Sequence, residues 1–237
     1  MTIRFIGTGG AFHPQYGNSA ALVEVGGKTL LIDAGFTVYG RLVELNAWEK
    51  PDYLLLTHLH NDHSGSLANI LLHRHYFGSG QQTIILYPSE SFRQQVEAFL
   101  AIQLKAPQKY AEFLPADTLP GLQILDTFGR HSEGYQSYSF LFEEAGQRLV
   151  YSGDLHDADY LFSHLASLSP MPTTVLHDLS FQPENGGHAH YSQLQPYLGT
   201  FRIFGYHCDP GANPPDNPVP LVYHQPDLMY QILDGRC

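Results

Sequence analysis

The segment Thr57-His58-Leu59-His60-Asn61-Asp62-His63-Ser64-Gly65 places three imidazoles and one carboxylate within six residues. Histidine is the commonest protein ligand of transition metals, and carboxylate oxygens join it at zinc-type sites. The apolar residues 53–56 before it predict a short buried strand, and residues 66–72 after it predict the start of a helix. The cluster therefore lies on a strand-to-helix loop, where a sheet edge can hold a site rigidly.

The spacing within this cluster indicates two ions rather than one. Residues two apart in an extended segment project to the same side, so His58 and His60 can bind one ion together. Asp62 and His63 are adjacent and diverge in an extended chain, but a turn at Ser64-Gly65 can direct both towards a neighbouring ion. The alternative interpretation is a solvated loop that is rich in histidine.

Composition limits the classes to which the chain can belong. The 237 residues carry 12 Lys and Arg against 23 Asp and Glu, and this formal net charge of -11 disfavours a surface that follows nucleic-acid phosphates. Hydrophobic residues make up 43%, enough for a large core, and Cys208 and Cys237 are too few for a disulfide framework. No segment suits a signal peptide or a membrane span, so we expect a cytoplasmic protein without a membrane partner. We expect one domain over residues 1–237.

Strand and helix patterns divide the chain into two similar halves. Apolar runs of strand length occur at residues 2–7, 20–25, 28–33, 53–56, 83–87, 122–128, 137–142, 148–152, 174–178 and 202–206. Patterns typical of helices occur between them, at residues 37–46, 89–104 and 157–168. Residues 107–120 are predicted to be loop-rich and residues 220–223 to form a further strand. We expect an α+β fold, an αβ/βα sandwich in which two mixed β-sheets pack face to face with helices on the outer faces.

Three polar residues follow predicted strands in the second half, as His58 does in the first. His131 follows residues 122–128, Asp154 follows residues 148–152, and His207 follows residues 202–206. Loops at one end of a sandwich converge, so we expect these side chains to meet the histidine cluster. A site for two ions needs more than the four ligands of that cluster.

The order of these motifs resembles the metallo-β-lactamase superfamily. The likeness covers nearly the whole chain, because Phe5–Gly10 and Leu31–Gly35 also match motifs of that superfamily. It implies the αβ/βα fold, and it implies that Asp33 orients a ligand imidazole. The ligands that it implies are His58, His60 and His131 for one ion, Asp62, His63 and His207 for the other, and Asp154 as the bridge between them.

Two features indicate the branch of the superfamily. β-Lactamases of this superfamily usually carry Cys where this chain has Asp154, so the resemblance favours phosphodiesterases, thioester hydrolases and related enzymes. Gly7–Gly10 and His190-Tyr191-Ser192 are similar to motifs of the ribonuclease Z-like branch, in which a histidine donates a proton to the leaving oxygen. His190, oriented by Asp178, is the first candidate for that donor, and His188 is the competing one.

The resemblance also implies how the site acts. Asp62, which is also a ligand, and His190 are the implied catalytic residues, whereas His13 and His188 are candidate substrate contacts. Two divalent ions, zinc first with manganese or iron as alternatives, can share a hydroxide and lower the pKa of its parent water. Both ions can also stabilise the charge that develops on a small anionic group.

We therefore expect a dinuclear metal-dependent hydrolase, specifically a phosphodiesterase in which metal-bound hydroxide attacks a small phosphodiester such as a cyclic nucleotide or a processed sugar phosphate. The net charge, and the lack of a long Gly-, Lys- and Pro-rich insertion between Leu155 and Pro170, disfavour tRNA and other extended nucleic acids. Two hydrolytic alternatives are an acyl hydrolase for thioesters or lactones and a ribonuclease Z-like RNA endonuclease. Two others are a di-iron redox protein and a zinc-stabilised binding protein. A homodimer is one expected oligomeric state.

Overall fold

Strands of two β-sheets dominate the computed structural model, which describes residues 1–183 and 186–230. The strands of the first sheet are β1 Thr2–Gly7, β2 Ala20–Val25, β3 Lys28–Ile32, β4 Tyr53–Leu55, β5 Thr83–Tyr87 and β6 Ala111–Pro115. Those of the second are β7 Leu122–Asp126, β8 Tyr138–Glu144, β9 Gln147–Tyr151, β10 Thr173–Asp178 and β11 Arg202–Tyr206. The first sheet follows the order β1-β2-β3-β4-β5-β6, and the second follows β11-β10-β9-β8-β7.

Helices connect the parallel strands. They are α1 Val38–Glu44, α2 Asn61–Ser64, α3 Leu67–Phe77, α4 Glu90–Gln103, α5 Ala158–Ser167 and α6 Tyr191–Leu194. Side chains provide the start signals of two of them: the Ser89 hydroxyl accepts a hydrogen bond from the main-chain N–H of Phe92, and the Asp157 carboxylate accepts one from that of Tyr160.

Side chains that alternate along each strand pack into two different core layers. Leu149 and Tyr151 on β9 belong to the core shared by the two sheets, whereas Val150 between them packs under α5 with Leu161. The ring of Phe5 from the first sheet lies 5.8 Å from that of Tyr151 in the second, which places the sheets face to face. The expected αβ/βα sandwich of two mixed sheets is confirmed.

Both sheets combine antiparallel and parallel pairing. In the first, β1, β2 and β3 pair antiparallel and β3 to β6 pair parallel. In the second, β7, β8 and β9 pair antiparallel and β9, β10 and β11 pair parallel. The carboxyl ends of parallel strands lie at one edge of a sheet, where open α/β sheets commonly bind ligands. Asp33 and Thr57 follow strands at that edge of the first sheet, and Asp154 and His207 do so in the second.

Two predicted elements differ from the structure. Residues 107–120 include strand β6, which pairs with β5 in parallel and ends at Pro115, a residue that an edge strand tolerates. The strand expected at residues 220–223 was wrong: only one bridge, between Gly205 and Leu221, forms there, and residues Val222–His224 make a short 3-10 turn.

Candidate metal centre

Close approach of the strand-end loops depends on glycine at two positions. A Cβ atom on Gly35 would lie 1.9 Å from the main-chain oxygen of Asp62, so only glycine lets the loop after β3 pack against α2. Gly153 has a φ of +62°, and a Cβ there would lie 2.7 Å from the main-chain oxygen of Tyr138. The resulting turn after β9 delivers Asp154 to the same edge.

The first group of potential ligands consists of three imidazoles. Nε2 of His58 lies 3.1 Å from Nδ1 of His60, and that Nδ1 lies 2.9 Å from Nε2 of His131. One ligand atom from each residue lies within 4.8 Å of the others. Nδ1 of His131 faces the main-chain oxygen of Gly187 at 2.7 Å, which leaves its Nε2 directed at the group. The ring of Tyr135 stacks on His60 at 4.4 Å.

The second group combines two imidazoles with two carboxylates. Nε2 of His207 lies 3.1 Å from Oδ2 of Asp62 and 3.3 Å from Nε2 of His63. Nε2 of His63 lies 3.3 Å from Oδ2 of Asp154, and Nε2 of His207 lies 3.5 Å from the same oxygen. The four ligand atoms lie within 4.8 Å of one another, and all four residues are buried.

Asp154 lies between the two groups. Its Oδ2 is also 3.8 Å from Nε2 of His58 and 3.6 Å from Nε2 of His131. Its Oδ1 is buried and accepts no hydrogen bond from the described residues. A buried carboxylate oxygen without a partner is costly, and a cation at this position would satisfy it. The seven residues that the sequence brought forward as ligands thus converge, and their donor set suits divalent metal ions.

Burial and neighbouring charges shift the pKa values of these imidazoles in different directions. Burial lowers the pKa of His58 well below its ordinary value, and the neighbouring His63 adds to the effect. Burial lowers the pKa of His60 as well. Burial also lowers the pKa of His63, but the charges of Asp154 and Asp33 outweigh it and raise that pKa well above the ordinary value. Metal ions bind neutral imidazole, so binding at His63 displaces a proton.

Asp33 supports the second group from behind. Its Oδ2 lies 2.8 Å from Nδ1 of His63, and its Oδ1 accepts hydrogen bonds from the Thr57 main-chain N–H at 2.8 Å and hydroxyl at 3.0 Å. Burial raises the pKa of Asp33, although the contacts with His63 and Thr57 oppose the shift. Asp33 and His207 both have a φ of +64°. That left-handed conformation is uncommon outside glycine, and strain of this kind concentrates at functional sites.

Asp178 contacts His188 rather than His190. Its Oδ2 lies 2.9 Å from Nδ1 of His188, whose ring lies 5.2 Å from that of His131 and 4.8 Å from that of His207. His190 is the N-cap of α6: its Nδ1 faces the Ser192 hydroxyl at 2.8 Å. The expected orientation of His190 by Asp178 is therefore wrong, because the loop after β10 returns His188 to Asp178 and the capping interaction holds His190 at the start of α6.

A cavity of about 600 Å³ opens over both groups. Its wall includes His60, His131, Asp154 and His207 as well as His188, whereas His190 is not among the described residues that line it. His13 also lines it, with its Nε2 4.0 Å from Oδ2 of Asp209. Two apolar residues at the rim of the cavity, Phe12 and Phe181, were not predicted as site residues. The sequence offered only their positions as a signal: Phe12 lies just after the Gly7–Gly10 loop, and Phe181 lies three residues after Asp178.

Solved structures with the same architecture identify the fold. The metallo-beta-lactamase fold protein YhfI from Bacillus subtilis superimposes with a TM-score of 0.65 at 18% identity and covers 87% of this chain and 85% of its own. The short form of human tRNase Z superimposes with a TM-score of 0.65 at 18% identity, over 89% of this chain and 94% of its own. The protein therefore has the metallo-β-lactamase fold, and its convergent His/Asp groups form sites whose donor atoms suit divalent metal ions.

Sequence comparison assigns the chain to one family of proteins. The model of the family described as Anti-Pycsar protein Apyc1 matches residues 1–215, so the chain belongs to that family. The Anti-Pycsar protein Apyc1 of Paenibacillus harenae is 28% identical over 206 residues, which cover 82% of this chain and 83% of the relative. No helix within residues 1–183 or 186–230 is long and apolar enough to cross a membrane.

Proposed function

We propose that this protein hydrolyses a small phosphodiester, with a cyclic nucleotide as the expected substrate, at a centre of two zinc ions. The position of Asp154 carries this proposal, because its Oδ2 lies within 3.8 Å of imidazole nitrogens from both ligand groups. Divalent ions held by these residues would supply Lewis acidity, lower the pKa of a water molecule and stabilise the charge that develops on a phosphodiester.

Two of the proposed ligands, His63 and His131, have a supporting contact that suits their role. The hydrogen bond to Asp33 holds the proton of neutral His63 on Nδ1, so that Nε2 presents a lone pair to the second group. The main-chain oxygen of Gly187 does the same for His131. The ligands proposed for the first ion are His58, His60 and His131, those for the second are Asp62, His63 and His207, and Asp154 is shared.

We assign the proton donor to His188 in place of His190. Burial lowers the pKa of His188, but the charge of Asp154 and the hydrogen bond to Asp178 outweigh it and raise that pKa to about 9. A protonated His188 uses Nδ1 for Asp178, which leaves the Nε2–H free to protonate a leaving oxygen in the cavity. An alkoxide leaving group, such as a ribose oxygen, requires that proton.

The lining of the cavity supports a substrate with few charges. Among its described lining residues there is no Lys or Arg, and Asp209 adds negative charge near His13. A chain of phosphates would therefore find no Lys or Arg among the described lining residues to neutralise its further charges, in keeping with the net charge of -11. A single phosphodiester group places its charge at the metals and its organic part against the apolar rim of Phe12 and Phe181.

Metal analysis together with parallel turnover assays tests the proposal. The purified protein is expected to hold about two zinc ions per chain and to hydrolyse both bis(p-nitrophenyl) phosphate and 3′,5′-cyclic nucleotides. Removal of metal with a chelator abolishes both activities, and zinc restores them. Iron with a visible absorption spectrum would instead support redox chemistry.

The same assays separate the remaining alternatives. Turnover of acyl thioesters or lactones without phosphodiester turnover would overturn the proposal in favour of an acyl hydrolase. Cleavage of tRNA precursors at rates far above those for cyclic nucleotides would favour an RNA endonuclease. Bound zinc without turnover of any of these substrates would favour a binding protein.

A further inference from the structure

Behind Asp178 lies a second histidine that the proposed reaction does not use. His177 precedes Asp178 on β10, and both residues are fully buried. Nδ1 of His177 lies 2.8 Å from the main-chain oxygen of Asp178 and 3.0 Å from its Oδ1. Successive strand residues usually point to opposite faces of the sheet, so spacing along β10 does not indicate this contact.

The surroundings of His177 fix its tautomer. Its Nε2 is buried and has no hydrogen-bond partner among the described residues, and its ring stacks on that of Phe162 with an interplanar angle of 13°. A proton on Nε2 would be a buried donor without an acceptor, which is costly, whereas a bare nitrogen tolerates apolar surroundings better. The proton therefore resides on Nδ1, where it is donated to the main-chain oxygen of Asp178.

The two oxygens of the Asp178 carboxylate consequently face different imidazoles. Oδ2 lies 2.9 Å from Nδ1 of His188, within a hydrogen bond, whereas Oδ1 lies 3.0 Å from Nδ1 of His177 in an electrostatic contact and accepts no hydrogen bond from the described residues. Ser152 completes the support, since its hydroxyl accepts a hydrogen bond from the main-chain N–H of Asp178 at 3.0 Å. Rotation of the carboxylate would separate Oδ1 from His177 and Oδ2 from His188 together.

We infer that His177 is a positioning residue: its Nδ1–H donates to the main-chain oxygen of Asp178 and lies close to Oδ1, and these two contacts hold Asp178 in the orientation that keeps His188 directed at the leaving oxygen. The inference rests on the proposed function, in which His188 donates that proton. His177 itself does not exchange a proton with the substrate, because Asp178 and His188 separate it from the cavity. Its effect is therefore confined to reactions whose leaving group needs protonation.

Three substitutions at this position separate the role of each ring nitrogen. His177→Phe keeps the ring shape without either nitrogen. The amide nitrogen of Asn occupies the place of Nδ1, and that of Gln occupies the place of Nε2. We expect His177→Phe and His177→Gln to lower kcat for a 3′,5′-cyclic nucleotide by roughly 10- to 100-fold with little change in KM, and His177→Asn to retain most of the activity.

The second substrate is the internal control. Bis(p-nitrophenyl) phosphate releases a stable phenolate that needs no proton donor, so all three variants should hydrolyse it at close to the unsubstituted rate. His164→Phe on α5 is the matched substitution of a histidine outside the cavity lining, and it should leave both rates unchanged. Thermal unfolding and zinc content confirm that each variant is folded and loaded.

Nuclear magnetic resonance supplies a readout that does not depend on turnover. Histidine-selective ¹⁵N spectra should show Nε2 of His177 as an unprotonated nitrogen, and the Nδ1–H of His188 should exchange with solvent faster in His177→Phe. An equal loss on both substrates, or equal rates for Asn and Gln, would overturn the inference while leaving the proposed function intact. Absence of turnover by the unsubstituted protein would instead overturn the proposed function.

Discussion

The two sheets each end in a buried carboxylate that holds an imidazole, yet the two carboxylates have different surroundings. After β3, Asp33 lies 2.8 Å from Nδ1 of His63 and is fixed otherwise by Thr57. At the end of β10, Asp178 lies 2.9 Å from Nδ1 of His188 and has a second imidazole, that of His177, on its other side. The same Asp–His contact thus occurs in both halves of the molecule.

The pKa of each carboxylate shifts in a different direction. Burial raises the pKa of Asp33, and its contacts with His63 and Thr57 do not overcome this. Burial also tends to raise the pKa of Asp178, but the polar contacts with His177 and His188 outweigh it, so that its pKa is lowered. The Asp178 carboxylate is therefore held more firmly in its charged form. This suits it to stabilise a protonated imidazole, whereas Asp33 is suited to orient a metal ligand.

Removal of His63 in the first half and of His188 in the second should give the largest difference in activity and in bound zinc. His63→Ala removes a proposed metal ligand, so turnover of both bis(p-nitrophenyl) phosphate and a cyclic nucleotide should fall to the uncatalysed rate, together with a loss of bound zinc. His188→Ala should retain the zinc and the first activity while it loses roughly 10²- to 10⁴-fold on the cyclic nucleotide. Zinc loss in His188→Ala would instead make it a ligand, since it also lies near His131 and Asp154.

A comparison of neighbouring histidines sharpens the assignment of the donor. His190→Ala removes only the cap of the short helix α6, so the rate on cyclic nucleotide should stay within about tenfold of the original, against the far larger loss in His188→Ala. The measurement is kcat for both variants on the same substrate. A reversed order of the two losses would restore His190 as the donor.

Substitution of the carboxylates Asp33 and Asp178 should have effects of intermediate size on zinc binding and on turnover. Asp33→Asn preserves a residue type that tolerates the left-handed backbone, and it should weaken zinc binding roughly 10- to 100-fold, as measured by competition with a chelator. Asp178→Asn should leave zinc affinity unchanged and lower only the cyclic nucleotide rate. Equal effects of the two substitutions on zinc affinity would remove the distinction between the halves.

Hydroxyl groups behind the carboxylates give the smallest expected effect. Thr57→Val removes the hydroxyl that lies 3.0 Å from Asp33, and Ser152→Ala removes the acceptor of the Asp178 main-chain N–H. Thr57→Val leaves the buried Asp33 carboxylate with one hydrogen-bond donor fewer, and Ser152→Ala leaves the buried Asp178 N–H without its acceptor, so we expect each to lower the free energy of unfolding by about 1 to 3 kcal/mol. Chemical denaturation measures the loss, and a loss of activity below tenfold is expected for both.

The histidine cluster could be predicted from the sequence because its members lie within six residues of one another. His58 and His60 follow a strand at alternate positions, and the short helix α2 then turns Asp62 and His63 to the neighbouring group. His131, Asp154 and His207 could be found only through the expectation that strand ends of a sandwich converge. That convergence is observed.

The contacts of Asp178 in the second sheet were harder to predict from the sequence than the histidine cluster. The choice between His188 and His190 depends on how the loop after β10 returns to Asp178, and spacing along the chain does not determine that path. The His177 contact depends on a ring nitrogen that faces the next residue rather than the opposite side of the sheet. Strand β6 was missed because proline is frequent around it, and proline is tolerated at the edge of a sheet.

The left-handed backbone at Asp33 and His207 limits how this protein can be made more thermostable. Asn46 and Ala145 share that conformation in turns that contribute no ligand, and glycine at either position should relieve roughly 1 kcal/mol of steric cost. The same replacement at Asp33 or His207 would relieve a similar cost but remove a side chain of the metal centre. Selection for thermostability alone would therefore favour glycine at Asp33 and His207, whereas selection for turnover would remove those substitutions.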